Sequence, residues 1–381
     1  MRIVHVISEF SRHEAMGRSI AETVARVPGE HFLIAARIHD GEQLFTATHE
    51  VGGGFTTFAF SRGAHIRDIM REIAPDIVHV HGGALAPLWA GASSLRGHQM
   101  TMSVYGWPRV PRWTSLRRAT FRQLTRSNVL RPRVVLSTLL PASFARRMLR
   151  SNGVHSVLSP DPDARQRLRG AGVRVLTLPS GASVGTHRAH HDATAPVVLF
   201  AGRAEMVRGI DTVLAAFRIV RAQVPGARLR LLLIPTAELP LVERAIGAAG
   251  LGDSCEVTTS PVADLSAELA AAQVGVWPFK FDYTTSPPAM ALAEAMAVGL
   301  PVVATDVTCV RSIARHDDNA LLVPVAAPLA LADAIVSLIR DPDRWQRLAA
   351  AGIHTIEQEA SWDAAAERTA EAYGLALEPA A

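Results

Sequence analysis

The sequence predicts an α/β protein made of two doubly wound, mostly parallel-sheet domains in tandem. Three observations carry that expectation. Short apolar runs alternate with segments of helical periodicity, the pattern of parallel strands covered by helices on both faces. The chain has 381 residues, enough for two domains that each bury a core. The alternation breaks in the polar stretch Ala182–Pro196 and restarts with the apolar run Val197–Phe200.

In the first half the strands are read at Ile3–Ile7, Phe32–Ala36, Ile77–His81, Met102–Val104, Val154–Leu158 and Val173–Leu178. Helical spacing of Ile20, Val24 and Val27, and of Ile66, Ile69, Met70 and Ile73, supplies the intervening helices. In the second half Val197–Phe200, Leu229–Ile234, Glu256–Thr258 and Val274–Trp277 read as strands. Ile210, Val213, Leu214, Phe217 and Val220 line a helix between the first two. The domains are expected at 1–184 and 197–360, joined by a linker at 185–196 and followed by a last helix at 361–381. Ligands of such sheets bind at the carboxyl ends of the strands, here in a central cleft that the two domains face.

Composition narrows the class. Hydrophobic residues make up 49% and charged residues 19%, ordinary for a globular protein. No apolar run approaches the ~20 residues of a membrane span, and Met1–Ile7 reads as a strand rather than a leader, so a cytoplasmic location is expected. Cys255 and Cys309 are the only cysteines, which excludes a disulfide framework and a zinc–thiolate cluster. The basic balance is almost all arginine, with Lys280 the sole lysine. Arginines crowd the segment 109–150, while no acidic residue occurs between Asp76 and Asp161. Such a patch suits an anionic acceptor or an anionic membrane surface. Nucleic acid is not expected, because no nucleic-acid module accompanies the patch.

Chemistry concentrates in the stretch Ser286–Thr305. Pro287 and Pro288 read as a helix start, Leu292, Ala293, Met296 and Ala297 share one face, and Gly299 reads as a left-handed stop before the strand Pro301–Ala304. A helix start at Ser286, Pro288, Ala289, Met290 and Ala291 aims amides at one point and attracts phosphate. Glu294, further along, can accept hydrogen bonds from sugar hydroxyls. Gly202-Arg203 ends a strand and Arg208-Gly209 opens the next helix; two guanidiniums around one loop can chelate a diphosphate. Gly202 is the residue expected to turn the chain sharply.

These segments resemble the retaining glycosyltransferases of the GT-B fold, family four. The resemblance rests on Ala201-Gly-Arg203…Arg208-Gly-Ile-Asp211, on Glu294–Thr305, on Asn319–Pro324, on Ser361-Trp362 and on Leu178-Pro-Ser-Gly181. Glu14–Gly17 and Asp76–His81 match it more loosely. It implies two Rossmann-like domains, the first for an acceptor and the second for a nucleotide sugar, with the last helix returning to the first domain. Arg203 and Arg208 then neutralise a departing diphosphate without a metal ion or other cofactor. Glu294 holds the ribose, Gly17 gives the diphosphate close backbone approach, and backbone near Thr259–Val262 meets the base of a UDP- or GDP-type donor. The acceptor is a small molecule or lipid-linked.

The sequence departs from the family pattern at Ser286, where a glutamate is usual, at Tyr105, where a histidine is usual, and at Thr308-Cys309 and Ser312. A GT-B scaffold without catalysis, serving as a binding partner or activator, is the alternative these departures raise. His79 and His81 share a strand face; His81, beside the Gly82-Gly83 break, is expected in the site and His79 in the core. Trp107 and Trp113 are candidates for stacking on a sugar ring. Asp161-Pro-Asp163 and Asp341-Pro-Asp343 imitate a metal-binding Asp-x-Asp but read as helix caps, so no metal site is expected.

Overall fold

The computed structural model describes residues 1–53, 63–83, 86, 92, 94, 95, 97–105, 142–179, 181–281, 284, 285 and 289–377. In chain order the main elements are β1 (Arg2–Phe10), α1 (Ala15–Arg26), β2 (Glu30–Ile38), β3 (Ala47–Glu50), α2 (Gly63–Ile73), β4 (Ile77–Gly82), β5 (Met100–Val104), α3 (Ala142–Ser151), β6 (Val154–Ser159) and β7 (Arg174–Thr177). They continue with β8 (Val197–Arg203), α4 (Ile210–Gln223), β9 (Arg228–Ile234), α5 (Leu239–Ala249), β10 (Cys255–Thr258), α6 (Leu265–Ala270) and β11 (Val274–Trp277). The chain ends with α7 (Met290–Ala297), β12 (Val302–Thr305), β13 (Leu321–Val323), α8 (Pro328–Arg340), α9 (Pro342–Glu359) and α10 (Trp362–Leu377).

Two units result. The first holds the described residues up to 105, those of 142–181, and α10; the second holds 182–361. Residues 185–196 pack within the second unit, where the Ala189 amide donates to the Val298 carbonyl (2.8 Å). No helix among the described residues is long and apolar enough to cross a membrane.

The first sheet runs β3-β2-β1-β4-β5-β6-β7, all parallel. Its two faces differ in chemistry, because side chains alternate along a strand. Val4, Val6, Ile34, Val78, Val80, Met100 and Met102 form an apolar face covered by Ile66, Ile69, Met70 and Ile73 of α2. The other face carries His5, His31, His79, His81, Thr101, Ser103 and Ser156, all buried. α10 lies against it, with Tyr373 Oη 2.8 Å from His79 Nδ1 and the Ala372 carbonyl accepting from Ser156 Oγ (3.3 Å).

The second sheet runs β10-β9-β8-β11-β12-β13, again all parallel. Its core is one apolar cluster around Phe200, Phe217, Trp277, Leu292 and Met296. Trp277 buries its indole and donates Nε1 to the Ala201 carbonyl at 3.0 Å, tying β11 to β8.

Two strands were not legible as apolar runs. β3, Ala-Thr-His-Glu, is a polar four-residue edge strand held by pairing to β2, and β13 has three residues. Asp341 caps α9 as its sequence suggests, accepting from the Arg344 amide at 2.9 Å. The similar Asp161-Pro-Asp163 behaves differently. There the short helix begins at Ala164, and Asp161 Oδ1 accepts from the Asp163 amide (2.9 Å), a local turn that delays the helix by two residues.

Tyr373→Phe tests the attachment of α10. It removes the hydroxyl facing His79 and should lower unfolding free energy by about 1–3 kcal/mol, read as a lower urea midpoint for the first unit. An unchanged midpoint would show that this hydroxyl contributes nothing to holding the helix.

Candidate active site

In the second unit strand order reverses between β8 and β11, since the chain builds β9 and β10 on one side and then crosses to β11–β13 on the other. Loops leaving such neighbouring strands diverge and open a crevice at their carboxyl ends. Both loops are closely built here. Gly209 sits at φ 83°, and a Cβ there would run into the Pro278 carbonyl oxygen. The Lys280 amide donates to the Val207 carbonyl (3.1 Å), and Lys280 Nζ reaches Asp211 Oδ2 at 2.5 Å. Arg208 lies over the Phe279 ring, 5.9 Å from its centroid.

Arg203 and Arg208 are brought together, as paired phosphate ligands require. Between them stands a carboxylate the sequence reading passed over. Glu205 accepts from Arg203 Nε through Oε1 (3.1 Å) and from Arg208 Nε through Oε2 (3.2 Å). Arg203 is 47% exposed in its side chain, while Arg208 and Glu205 are each 15% exposed. Burial lowers the Arg208 pKa, and the Glu205 carboxylate acts against that. The free ends of the two guanidiniums stay available for a second anion, because each uses its Nε toward Glu205. Lys280 also escaped the sequence reading; its proximity to the 206–211 loop arises only from β8–β11 adjacency.

The turn is displaced from its expected position. Gly202 lies inside β8, and the left-handed residue is Gly209, six residues past the end of β8 at Arg203 and directly before α4. A Cβ at Gly202 would crowd the Phe200 ring, 3.3 Å from its Cζ, and make only ordinary contact with Arg208 Cδ.

α7 begins at Met290 with Ala289 as N-cap, later than the prolines suggest. Ser286 and Pro288 lie outside the described residues. The Leu292 and Ala293 amides donate to the Ala289 carbonyl, so the first-turn donors left to meet a ligand are those of Met290 and Ala291. Glu294 is half-buried on α7. The helix ends as expected: Gly299 is left-handed at φ 74°, its amide donates to Met296, and the Leu300 amide donates to Ala295 (both 3.0 Å). Val262 is half-buried in the loop between β10 and α6.

The remaining candidates lie in the first unit. Gly17 is within α1, where a Cβ would meet the Ser11 carbonyl oxygen; local packing alone therefore demands glycine. Tyr105 is buried and donates to Ser19 Oγ at 3.0 Å; burial pushes its pKa up to about 12, which leaves a hydrogen-bond donor and no base near neutrality. His81 is as buried as His79. His79 has both nitrogens 2.8 Å from hydroxyls, Tyr373 on one side and Ser103 on the other, as a core histidine should. His81 Nε2 is 3.0 Å from His5 Nδ1, and His5 Nε2 is 3.0 Å from His31 Nδ1. Trp107, Trp113 and the arginines from Arg109 to Arg133 lie outside the described residues.

Burial, reinforced by neighbouring imidazoles, holds His5, His79 and His81 well below the usual histidine range, and burial also lowers His31.

The two parallel-sheet Rossmann-like units constitute the GT-B fold of glycosyltransferases. A sucrose-phosphate synthase from Thermosynechococcus elongatus is similar with a TM-score of 0.74 at 18% identity, covering 98% of each chain. HepE of Anabaena, solved with UDP and glucose, gives a TM-score of 0.72 at 15% identity, covering 98% of this chain and 99% of that one.

Residues 195–341, within the second unit, match the family model described as glycosyl transferases group 1. A D-inositol 3-phosphate glycosyltransferase from Thermobispora bispora is 30% identical over 235 residues, 57% of this chain and 52% of that protein. The chain spans about half the length, or less, of the curated relatives it matches.

Two outcomes follow from the geometry. Glu205→Ala leaves Arg208 part-buried without its carboxylate and should cost roughly 3 kcal/mol; pyrophosphate should restore part of the lost melting temperature, whereas an equal melting temperature for variant and wild type would remove Glu205 from the site. The histidines have folded pKa values below that of the unfolded chain, so the unfolded chain binds protons first as pH falls. Their stability contribution is therefore complete above pH 6.5, the ordinary histidine value, and declines below it. In chelator-containing buffer the slope should reach about 1.4 kcal/mol per pH unit for each histidine. Urea midpoints from neutral to mildly acidic pH measure it, and a flat profile would contradict burial of neutral imidazoles.

Proposed function

We propose that the chain transfers a sugar from a nucleotide-diphosphate sugar of UDP or GDP type to a hydroxyl of a small-molecule or lipid-linked acceptor, with retention at the anomeric carbon and without a metal ion. The observation that carries this reading is the Arg203–Glu205–Arg208 group at the β8/β11 switch point. A diphosphate needs cations and oriented amides where its charge grows as it leaves. The two guanidiniums and the first turn of α7 are such donors, and Glu294 on the same helix is suited to ribose hydroxyls.

In this reading the anomeric carbon–phosphate oxygen bond breaks while the acceptor oxygen bonds the same face of that carbon. The acceptor proton passes to the leaving phosphate oxygen. No protein base is then required, which agrees with Tyr105 being a donor only. The anionic leaving group is stabilised by Arg203 and Arg208. Two similar proteins support the class of donor and acceptor: a D-inositol 3-phosphate glycosyltransferase, and HepE of Anabaena, solved with UDP and glucose. The arginines of 109–150 supply the charge by which an anionic acceptor or an anionic membrane surface would be drawn in.

Arg208→Ala and Glu294→Ala should each weaken nucleoside-diphosphate binding. Loss of one charge-assisted hydrogen bond is worth about 1.5–3 kcal/mol, roughly 10- to 150-fold in affinity. Calorimetric titration with UDP and GDP measures it. Wild-type affinity in both variants, or no nucleoside diphosphate bound by the wild type, would refute the assignment.

A further inference from the structure

The buried polar face of the first sheet holds a histidine cluster apart from the arginine group of the second unit. His5 on β1 stands in register with His79 on β4, and His81 follows on the same face. Each of the three offers a ring nitrogen, and these nitrogens lie within 4.8 Å of one another. None of the three residues is more than 3% exposed.

Their hydrogen bonds have a fixed direction. The Val27 carbonyl can only accept, so His31 Nε2, 2.8 Å away, carries a proton. In a neutral ring His31 Nδ1 is then an acceptor, and His5 must donate to it from Nε2. His5 Nδ1 is in turn an acceptor for His81 Nε2–H. The series ends on His81 Nδ1, a bare lone pair, buried and without a hydrogen-bond partner. A buried polar atom left unmatched costs about 1–3 kcal/mol and calls for a donor or a cation.

We propose that His5, His79 and His81 bind one divalent transition-metal ion of the zinc class. Imidazole nitrogens without carboxylate in the cluster suit zinc, cobalt, nickel or copper and disfavour magnesium and calcium. The outer shell is already built. His5 can ligate through Nδ1 while its Nε2–H stays on His31, which is anchored on Val27. His79 can ligate through one nitrogen while the other keeps Tyr373 or Ser103. Ligating histidines are held in this way, by a partner on the second ring nitrogen. His81 gives up its bond to His5 and turns one nitrogen to the ion. At metal–nitrogen distances of about 2.0–2.1 Å the three nitrogens draw closer than their present spacing. The ion clamps β1 to β4 beneath α10 and has no part in the phosphate chemistry of the second unit.

The test uses the untagged full chain, unfolded in chelator and refolded with zinc or cobalt, then gel-filtered. The expected result is about one retained ion per chain, a raised melting temperature, and a visible cobalt spectrum of tetrahedral type. His5→Asn and His81→Phe should lose the ion. A double variant of exposed histidines, His187→Asn with His190→Asn, should retain it. Should the core variants fail to fold, X-ray absorption on the wild type counts imidazole ligands directly. No retained metal, fewer than three imidazole ligands, or loss of metal in the surface variant would overturn the proposal.

Discussion

A polar group taken out of water has to find its partner inside the protein, and that constraint shapes one whole face of the first unit's sheet. Its sheet buries histidines and hydroxyls on one face, where a doubly wound sheet ordinarily buries aliphatic side chains. The face is tolerable because its members answer one another: Thr101 Oγ1 meets Ser156 Oγ at 3.0 Å, His79 meets two hydroxyls, and His5 is bridged to His31 and His81. α10 is part of this accounting. Tyr373 and the Ala372 carbonyl complete the face from a helix nearly three hundred residues away in the chain (|i−j| = 294 for Tyr373 and His79).

The second unit solves a different problem with the same economy of parts. Two guanidiniums five residues apart repel each other, and Arg208 is largely removed from water. Glu205 holds both through their Nε atoms and leaves the outer nitrogens of each fork to another anion. Geometry around this group is set by backbone: Gly209 must be left-handed and lacks room for a side chain because β11 returns beside β8 and brings the Pro278 carbonyl against it. Trp277, buried and hydrogen-bonded to Ala201, fixes that return. The site is therefore a property of strand adjacency, with the arginines as its visible part.

Glycines in this chain answer two different needs. Gly299 closes α7 by conformation, with paired amide bonds to Met296 and Ala295. Gly17 and Gly209 are required by what stands next to them, Ser11 and Pro278. A glycine near a candidate phosphate site thus need not owe its presence to the phosphate.

Much was legible in the sequence because it depends on local periodicity. The two-domain α/β architecture, nearly every apolar strand, the Asp341 cap, the Gly299 stop and the arginine loop after Val197–Phe200 follow from spacing and residue type alone. Short polar β3 did not, since an edge strand held by pairing needs no apolar pattern. The helix at 161–163 starts late because Asp161 prefers a local turn, and the sharp bend falls at Gly209 instead of Gly202 because β8 pairs with β9 as far as Arg203. Glu205 between the arginines, Lys280 on Asp211, and the histidine chain ending at His81 Nδ1 join residues distant in sequence or indistinguishable from ordinary surface and core positions. Only tertiary structure decides such pairings, because they are set by which strands lie side by side and which faces are closed to water.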